Sequence, residues 1–130
     1  MKTIKLFALT VVVVLLSQLS SFAQEIKIEV VDFHATNRCM TCNAIEANAK
    51  KTVETYFADK KNISFASYNI DDSKNKELSE EFKAFGSSLF LKVTKEGKSE
   101  IINLTQFAFM NGRNEAKFLA GLKEEIEKYL

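Results

Sequence analysis

The chain has 130 residues, which is enough for one domain with a single hydrophobic core and too few for two. Hydrophobic residues make up 46% of it and charged residues 27%, a composition typical of a globular protein. The formal net charge is +1, and Lys and Arg are not clustered as a nucleic-acid-binding or membrane-surface protein requires, so we predict no nucleic-acid partner.

Residues 1–23 have the three parts of a secretory signal peptide: a basic start, the apolar run 6–16, and small residues that end at Ala23. We predict cleavage after Ala23, which leaves residues 24–130 as one exported domain, periplasmic or secreted. The alternative is an uncleaved N-terminal anchor, although spanning a bilayer comfortably takes roughly 18 or more apolar residues. The mature form is predicted not to be embedded in a membrane.

The mature chain is predicted to begin with a strand over residues 25–33. Its first residues alternate between apolar and charged, and it then becomes apolar through Val31 and Phe33, as in a strand covered on both faces. A short loop leads to Cys39 and Cys42, where the periodicity becomes helical. A helix N-terminus presents unpaired N–H groups and a partial positive charge, and both stabilise a thiolate. A second sulfur three positions on can resolve a mixed disulfide formed by the first.

The first helix is predicted to be amphipathic, with Cys42 at the start of its inward stripe. Its charged residues are predicted to face solvent: Glu46, Lys50 and Glu54.

A second strand is predicted over residues 63–70, followed by a helix that stops at Gly86. This helix is predicted to bury Leu78, Phe82 and Phe85. Strands over residues 88–94 and 100–104 form a hairpin, with Gly97 supplying the positive φ of its turn. The last predicted element is an amphipathic helix that turns inward Phe118, Leu122, Ile126 and Tyr129.

Strand–helix–strand units connect parallel strands, and the hairpin adds an antiparallel edge. We therefore predict an α/β fold of order βαβαββα, a four-stranded mixed sheet with helices on both faces. Phe107, Phe109 and Met110 lie between the fourth strand and the last helix, and are predicted to pack beneath that helix. The alternative is an exposed apolar rim near the cysteines that docks a partner.

The chain resembles the thioredoxin superfamily in three segments, which are residues 31–42, 68–71 and 88–97. The resemblance implies a minimal thioredoxin-like fold in which Cys39 is the attacking thiol and Cys42 the resolving one. It also implies that Asp32 is the buried carboxylate that moves protons to and from the resolving sulfur.

The sequence departs from that superfamily near the cysteines. Arg38 replaces the tryptophan that usually precedes the first cysteine, and the first strand and helix of the family have no counterpart. Proline is absent from the chain, and Ser87 lies near the place of the cis-proline that normally faces the disulfide. A cis bond without proline costs roughly 2.5–4 kcal/mol, so we predict a trans backbone there and a differently shaped groove.

Three side chains near the motif have two interpretations each. The charge of Arg38 either stabilises the Cys39 thiolate or is solvated on a loop. Asp32 is either a proton carrier for Cys42 or a strand-end residue that caps the loop. His34 is the single histidine of the chain, and it either faces solvent or takes part in acid–base or ligand chemistry.

A narrower resemblance links residues 38–42, 86–91 and 103–110 to a small exported family named as a nitrophenyl compound nitroreductase subunit (ArsF-type), which is associated with organoarsenical resistance. It implies a dithiol electron relay in a nitroaryl-reducing system. The implied partners are a redox protein or membrane dithiol donor and a second reductase subunit. No flavin-binding pattern is present, so we predict no cofactor for this chain and assign the nitro chemistry to a partner.

The cysteine pair thus predicts an exported thiol–disulfide oxidoreductase with no bound metal. A static structural disulfide is the alternative for the pair, but closing so short a loop constrains an unfolded chain little. The alternative function is a soft-metal or metalloid binding protein, in which Cys39, Cys42 and His34 would hold Cu(I), Zn or As(III).

Overall fold

The computed structural model describes residues 25–130, and the predicted signal peptide lies outside these described residues. The elements in chain order are β1 (Lys27–His34), α1 (Met40–Tyr56), β2 (Ile63–Asn69), a 3-10 turn (Ser73–Asn75), α2 (Lys76–Phe82), β3 (Ser88–Lys95), β4 (Lys98–Asn103), α3 (Thr105–Asn111) and α4 (Glu115–Glu127). Within residues 25–130, no helix has the length and apolar character needed to cross a membrane.

The four strands form one mixed sheet in the order β2-β1-β3-β4. β1 runs parallel to β2 and antiparallel to β3, and β4 pairs antiparallel with β3 at the edge. The predicted α/β class and mixed sheet are confirmed, and the architecture is that of a minimal thioredoxin-like fold. β1 lies inside the sheet and both of its faces are covered, which explains why Val30, Val31 and Phe33 are all buried; Asp32, between them, is a buried carboxylate.

Each face of the sheet has its own core. The larger core lies beneath α1, α3 and α4, and its buried side chains include Ile28, Val30, Ile45, Ala49, Leu89, Leu91, Phe118, Leu122 and Ile126. The smaller core lies beneath α2, where Phe33 is surrounded by aromatic rings whose centroids lie 5.3 Å (Phe82), 5.9 Å (Phe90) and 5.9 Å (Tyr68) away. Alternate residues of β1 therefore serve opposite helix layers, as its sequence pattern predicts.

The prediction for the end of the second helix was wrong. α2 ends at Phe82, because Lys83 adopts the left-handed conformation with φ 54°. The Lys83 and Ala84 N–H groups then donate to the carbonyls of Glu80 and Ser79, as in a Schellman motif. Phe85 consequently lies beyond the helix and no longer follows its apolar stripe. It is 88% exposed rather than buried.

The segment after β4 forms a helix, α3, that the sequence analysis did not predict. Phe107 packs beneath α4 as expected, with its ring centroid 5.4 Å from that of Phe118. A Cβ at Gly121 of α4 would lie 2.5 Å from the Phe107 ring, so this approach depends on the glycine. The prediction was wrong for Phe109 and Met110, which are exposed because α3 turns its Ala108 side inward.

The hairpin and the last helix agree with prediction. The β3–β4 turn has positive φ at Glu96 (55°) as well as at Gly97 (74°). Three of the predicted inward residues of α4 are fully buried, and Tyr129 is half-buried just beyond the helix end.

Candidate redox site

The cysteine motif lies at the end of the two inner strands, where β1 stops and β3 starts. Cys39 is the N-cap of α1, with extended backbone angles (φ −80°, ψ 163°). Its sulfur accepts a hydrogen bond from the Cys42 N–H at 3.1 Å, and its carbonyl accepts the Asn43 N–H at 3.1 Å. The predicted position of the first cysteine at a helix start is therefore confirmed.

Cys39 and Cys42 form a disulfide, with their Cα atoms 5.1 Å apart. The two residues differ in accessibility: Cys39 is exposed, whereas Cys42 is 9% exposed. An external sulfur can therefore approach Cys39 more readily than Cys42.

Asp32 is a buried carboxylate near the end of β1, only 3% exposed. Its Oδ2 accepts a hydrogen bond from the Ser67 hydroxyl at 2.8 Å, and Ser67 is its partner in the β1–β2 register. Burial raises the pKa of Asp32 from 3.8 to about 6. The Ser67 hydrogen bond opposes this increase, whereas the nearby charge of Glu46 adds to it.

Arg38 turns inward from the loop, so that its side chain is 24% exposed. One guanidinium nitrogen, Nη2, lies 3.8 Å from Asp32 Oδ2 and forms an ion pair with Glu46. In the disulfide form Arg38 is thus not a solvated loop residue. Its effect on a Cys39 thiolate stays a prediction.

Glu46 is one of two residues of this site that the sequence did not reveal. It was assigned to the solvent-facing side of α1, but it pairs with Arg38 next to Asp32. The i, i+4 spacing from Cys42 was an available signal, because residues four apart share one side of a helix. Ser67 was also missed, and nothing in its strand sequence distinguishes it from the neighbouring residues.

The loop before the cysteines is attached to the end of β2. The Thr36 N–H donates to Asp71 Oδ2 at 2.7 Å, and the Asn69 amide donates to the Thr36 hydroxyl at 3.1 Å. The Thr36 hydrogen bonds hold the pKa of Asp71 below its ordinary value. These contacts fix the loop that carries Arg38 toward the sheet.

The C-terminal end of α3 lies beside the first turns of α1. The Asn48 side chain donates to the Gly112 carbonyl at 3.1 Å. A Cβ at Gly112 would lie 2.9 Å from the Ile45 side chain and 3.2 Å from that of Thr41. Met110, which is 76% exposed, therefore belongs to a helix, α3, that packs against α1.

His34 and Ser87 lie at this same end of the inner strands, where β1 stops and β3 starts. His34 ends β1, where its Nδ1 lies 3.0 Å from the Ala35 carbonyl oxygen. Ser87 precedes β3, whose first residue Ser88 pairs with Phe33. Residues 25–130 contain no cis peptide bond, so the trans backbone predicted at Ser87 is confirmed.

In the described part of the chain, no three or more His, Cys, Asp and Glu side chains form a group that could hold a metal ion. The Cys39 and Cys42 sulfurs are bonded to each other. A metal or metalloid site made of His34 and these two cysteines stays a prediction for the reduced protein.

The fold and this site define an α/β protein of minimal thioredoxin-like architecture with a CxxC disulfide at the start of its first helix. No protein-family model and no curated protein matches the chain. A solved structure described as "Structure of a malarial protein" is similar at 19% identity and a TM-score of 0.40, over 65% of this chain and 94% of that one. A similarity of this size supports no conclusion about family or function.

Proposed function

We propose that this protein is an exported thiol–disulfide oxidoreductase whose reactive group is the Cys39–Cys42 pair. One observation carries the proposal: an exposed cysteine caps a helix and is bonded to a buried cysteine in the first turn of that helix. A purely structural disulfide that closes so short a loop would stabilise the fold little. Export rests on the predicted signal peptide.

Exchange at this pair follows two balanced steps in the reducing direction. The Cys39 thiolate attacks one sulfur of a partner disulfide, so that a mixed disulfide forms, the partner's S–S bond breaks, and the departing sulfur takes up a proton. Cys42 then loses its thiol proton and attacks the Cys39 sulfur, which restores the internal disulfide and expels the second partner thiolate. Two electrons pass to the partner.

A dithiol donor returns the protein to its reduced form by the reverse of these steps. The donor is a redox partner protein or a membrane dithiol. The balance between the two directions depends on the reduction potential of the donor relative to that of the Cys39–Cys42 pair.

The surroundings of the two sulfurs support this chemistry. The Cys42 N–H and the start of α1 favour negative charge on the Cys39 sulfur, which makes that sulfur the better nucleophile. With a pKa of about 6, Asp32 is mainly ionised at neutral pH and is suited to accept the Cys42 proton.

Reduction of insulin by dithiothreitol tests the proposal. We expect the Cys39→Ser variant to lose all stimulation of this reaction. The Cys42→Ser variant should instead accumulate a mixed disulfide between Cys39 and the substrate, which is visible by mass spectrometry. Thr41→Ser, within the same motif, is the matched control and should keep the wild-type rate. Normal turnover by Cys39→Ser would overturn the proposal.

The sequence resemblance to the nitrophenyl compound nitroreductase subunit family supports a narrower role. In this role the dithiol relays electrons to a second reductase subunit, which reduces the nitro group. A strain that lacks the gene should become sensitive to a nitroaryl arsenical, and the wild-type gene should rescue it. Equal rescue by a gene encoding Cys39→Ser would contradict the dithiol relay.

A further inference from the structure

Next to the disulfide, two carboxylates share one guanidinium. Arg38 Nη2 contacts Glu46 and lies 3.8 Å from Asp32 Oδ2. The carboxylates come from different elements, Asp32 from β1 and Glu46 from α1, and Arg38 comes from the loop that joins them. Asp32, Glu46 and Arg38 together form a charge cluster. With Asp32 ionised, the net charge of this cluster is −1. A proton on Asp32 makes it neutral.

The inward position of Arg38 needs an explanation. Its neighbours Asn37 and Cys39 are both exposed, so solvent is within easy reach of a long side chain at this position. The Arg38 Nε and Nη2 atoms are both buried, and neither has a hydrogen-bond partner among the described residues, so the contacts of Nη2 with the carboxylates are ion pairs. An unsatisfied buried donor costs about 1–3 kcal/mol, so the attraction of the carboxylates must hold the side chain inside.

Glu46 is the stronger of the two attachments. It makes a direct ion pair with Arg38, whereas 3.8 Å between Arg38 and Asp32 is too long for a hydrogen bond. Asp32 is instead hydrogen-bonded by Ser67 from β2, and β3 contributes the apolar Leu89 opposite it. His34, at the end of the same strand, is the remaining titratable group that acts on Asp32.

We propose that Glu46 is a positioning residue of the redox site: by holding Arg38 it keeps the guanidinium from pairing closely with Asp32, so that Asp32 can bind and release a proton during exchange. This inference rests on the proposed function, because it assigns to Asp32 the proton that Cys42 gives up. Without Glu46, Arg38 would pair directly with Asp32 and hold it ionised. Asp32 would then be a weaker base toward the Cys42 thiol.

A double-mutant cycle separates this role from a simple charge effect. The probe is the carboxyl ¹³C NMR titration of Asp32 in the oxidised protein, followed in wild type, Glu46→Gln, Arg38→Met and the double variant. Glu46→Gln should lower the Asp32 midpoint by about 1 pH unit when Arg38 is present, because it removes a like charge and frees the guanidinium. In the Arg38→Met background the decrease should be clearly smaller.

Equal decreases in the two backgrounds would overturn the positioning role, and so would the absence of any decrease. Glu54→Gln is the matched control. It lies on the same helix and removes the same charge, but Glu54 pairs with Lys50 on the exposed side of α1. Its Asp32 midpoint should stay at the wild-type value.

The pH profile of the exchange rate connects the cluster to the reaction. The midpoint of its acidic limb should move with the Asp32 titration in Glu46→Gln and stay fixed in Glu54→Gln. An acidic limb that ignores the Asp32 midpoint would overturn the link to exchange. The NMR titration needs no turnover, so it decides the positioning of Arg38 even if Cys39→Ser shows that the proposed function is wrong.

Discussion

Replacing Asp32 with asparagine should stabilise the protein at neutral pH. Burial raises the pKa of Asp32 from 3.8 to about 6, which means that the folded protein disfavours the ionised carboxylate. One pKa unit corresponds to about 1.4 kcal/mol, so ionising Asp32 lowers the free energy of unfolding by about 3 kcal/mol. Asparagine has a similar shape, can accept the Ser67 hydrogen bond through its Oδ1, and never ionises.

The sign of the effect depends on pH. Between pH 3.8 and about 6, the folded protein keeps a proton that the unfolded chain has lost. The contribution of Asp32 to the free energy of unfolding is therefore full below pH 3.8 and is lost as the pH rises through about 6. The advantage of Asp32→Asn should be near zero at low pH and reach about 3 kcal/mol at pH 8.

Urea unfolding of the oxidised wild type and Asp32→Asn, repeated across this pH range, measures the difference directly. Asp72→Asn is the control: Asp72 lies on the surface and accepts the Lys74 N–H at 3.1 Å, so its replacement should not reproduce the growing advantage above pH 6. A stability difference that is the same at every pH would refute the argument. Destabilisation of Asp32→Asn at pH 8 would refute it as well.

Two further predictions rest on single contacts, and a third rests on the absence of proline at Ser87. Ser67→Ala removes the hydroxyl that donates to Asp32, so an NMR titration should place the pKa of Asp32 above its wild-type value of about 6; an unchanged or lower value would contradict this. Gly112→Ala should destabilise the protein by about 1–3 kcal/mol in urea unfolding, because the new Cβ would meet the Ala108 carbonyl oxygen at 2.8 Å. Gly86→Ala is its control, since a Cβ there meets nothing within 4 Å, and equal losses would count against the packing argument. Ser87→Pro should raise the insulin-reduction rate if the missing proline limits substrate docking, and no gain would contradict that idea.

The sequence predicted the secondary structure correctly where the local hydrophobic pattern of an element agrees with its burial in the fold. Val31 and Phe33, which follow the alternating start of β1, predict a strand covered on both faces, and the change of period at Cys39 predicts the start of α1. Both features follow from the backbone geometry of a single element. The mixed sheet then follows from the short connections between successive elements.

The hydrophobic pattern gave wrong predictions where a tertiary contact or a single backbone conformation determined the structure. Lys83 ends α2 by adopting a positive φ. This conformation is uncommon for residues other than glycine, so a lysine in the sequence does not predict it. Glu46 fits the charged side of an amphipathic helix, and its partner Arg38 becomes visible only once the loop folds back over Asp32. Helical periodicity indicates which side of α1 is apolar, but not which charges from other elements meet at its margin.

The energetics of Asp32 bear on what the cluster does. A domain of this size has a total stability of about 5–15 kcal/mol, so a loss of about 3 kcal/mol at neutral pH is a substantial fraction of it. Folding alone does not account for that loss, because asparagine could fill the same space and accept the Ser67 hydrogen bond. What asparagine cannot provide is a group that exchanges a proton near pH 6. The structure combines this buried acid with the guanidinium of Arg38, which pairs with Glu46, and with the exposed residue Cys39, which directly follows Arg38 in the chain. The proposed function, in which the site moves protons together with sulfur exchange, gives a reason for this loss of stability, whereas a static disulfide gives none.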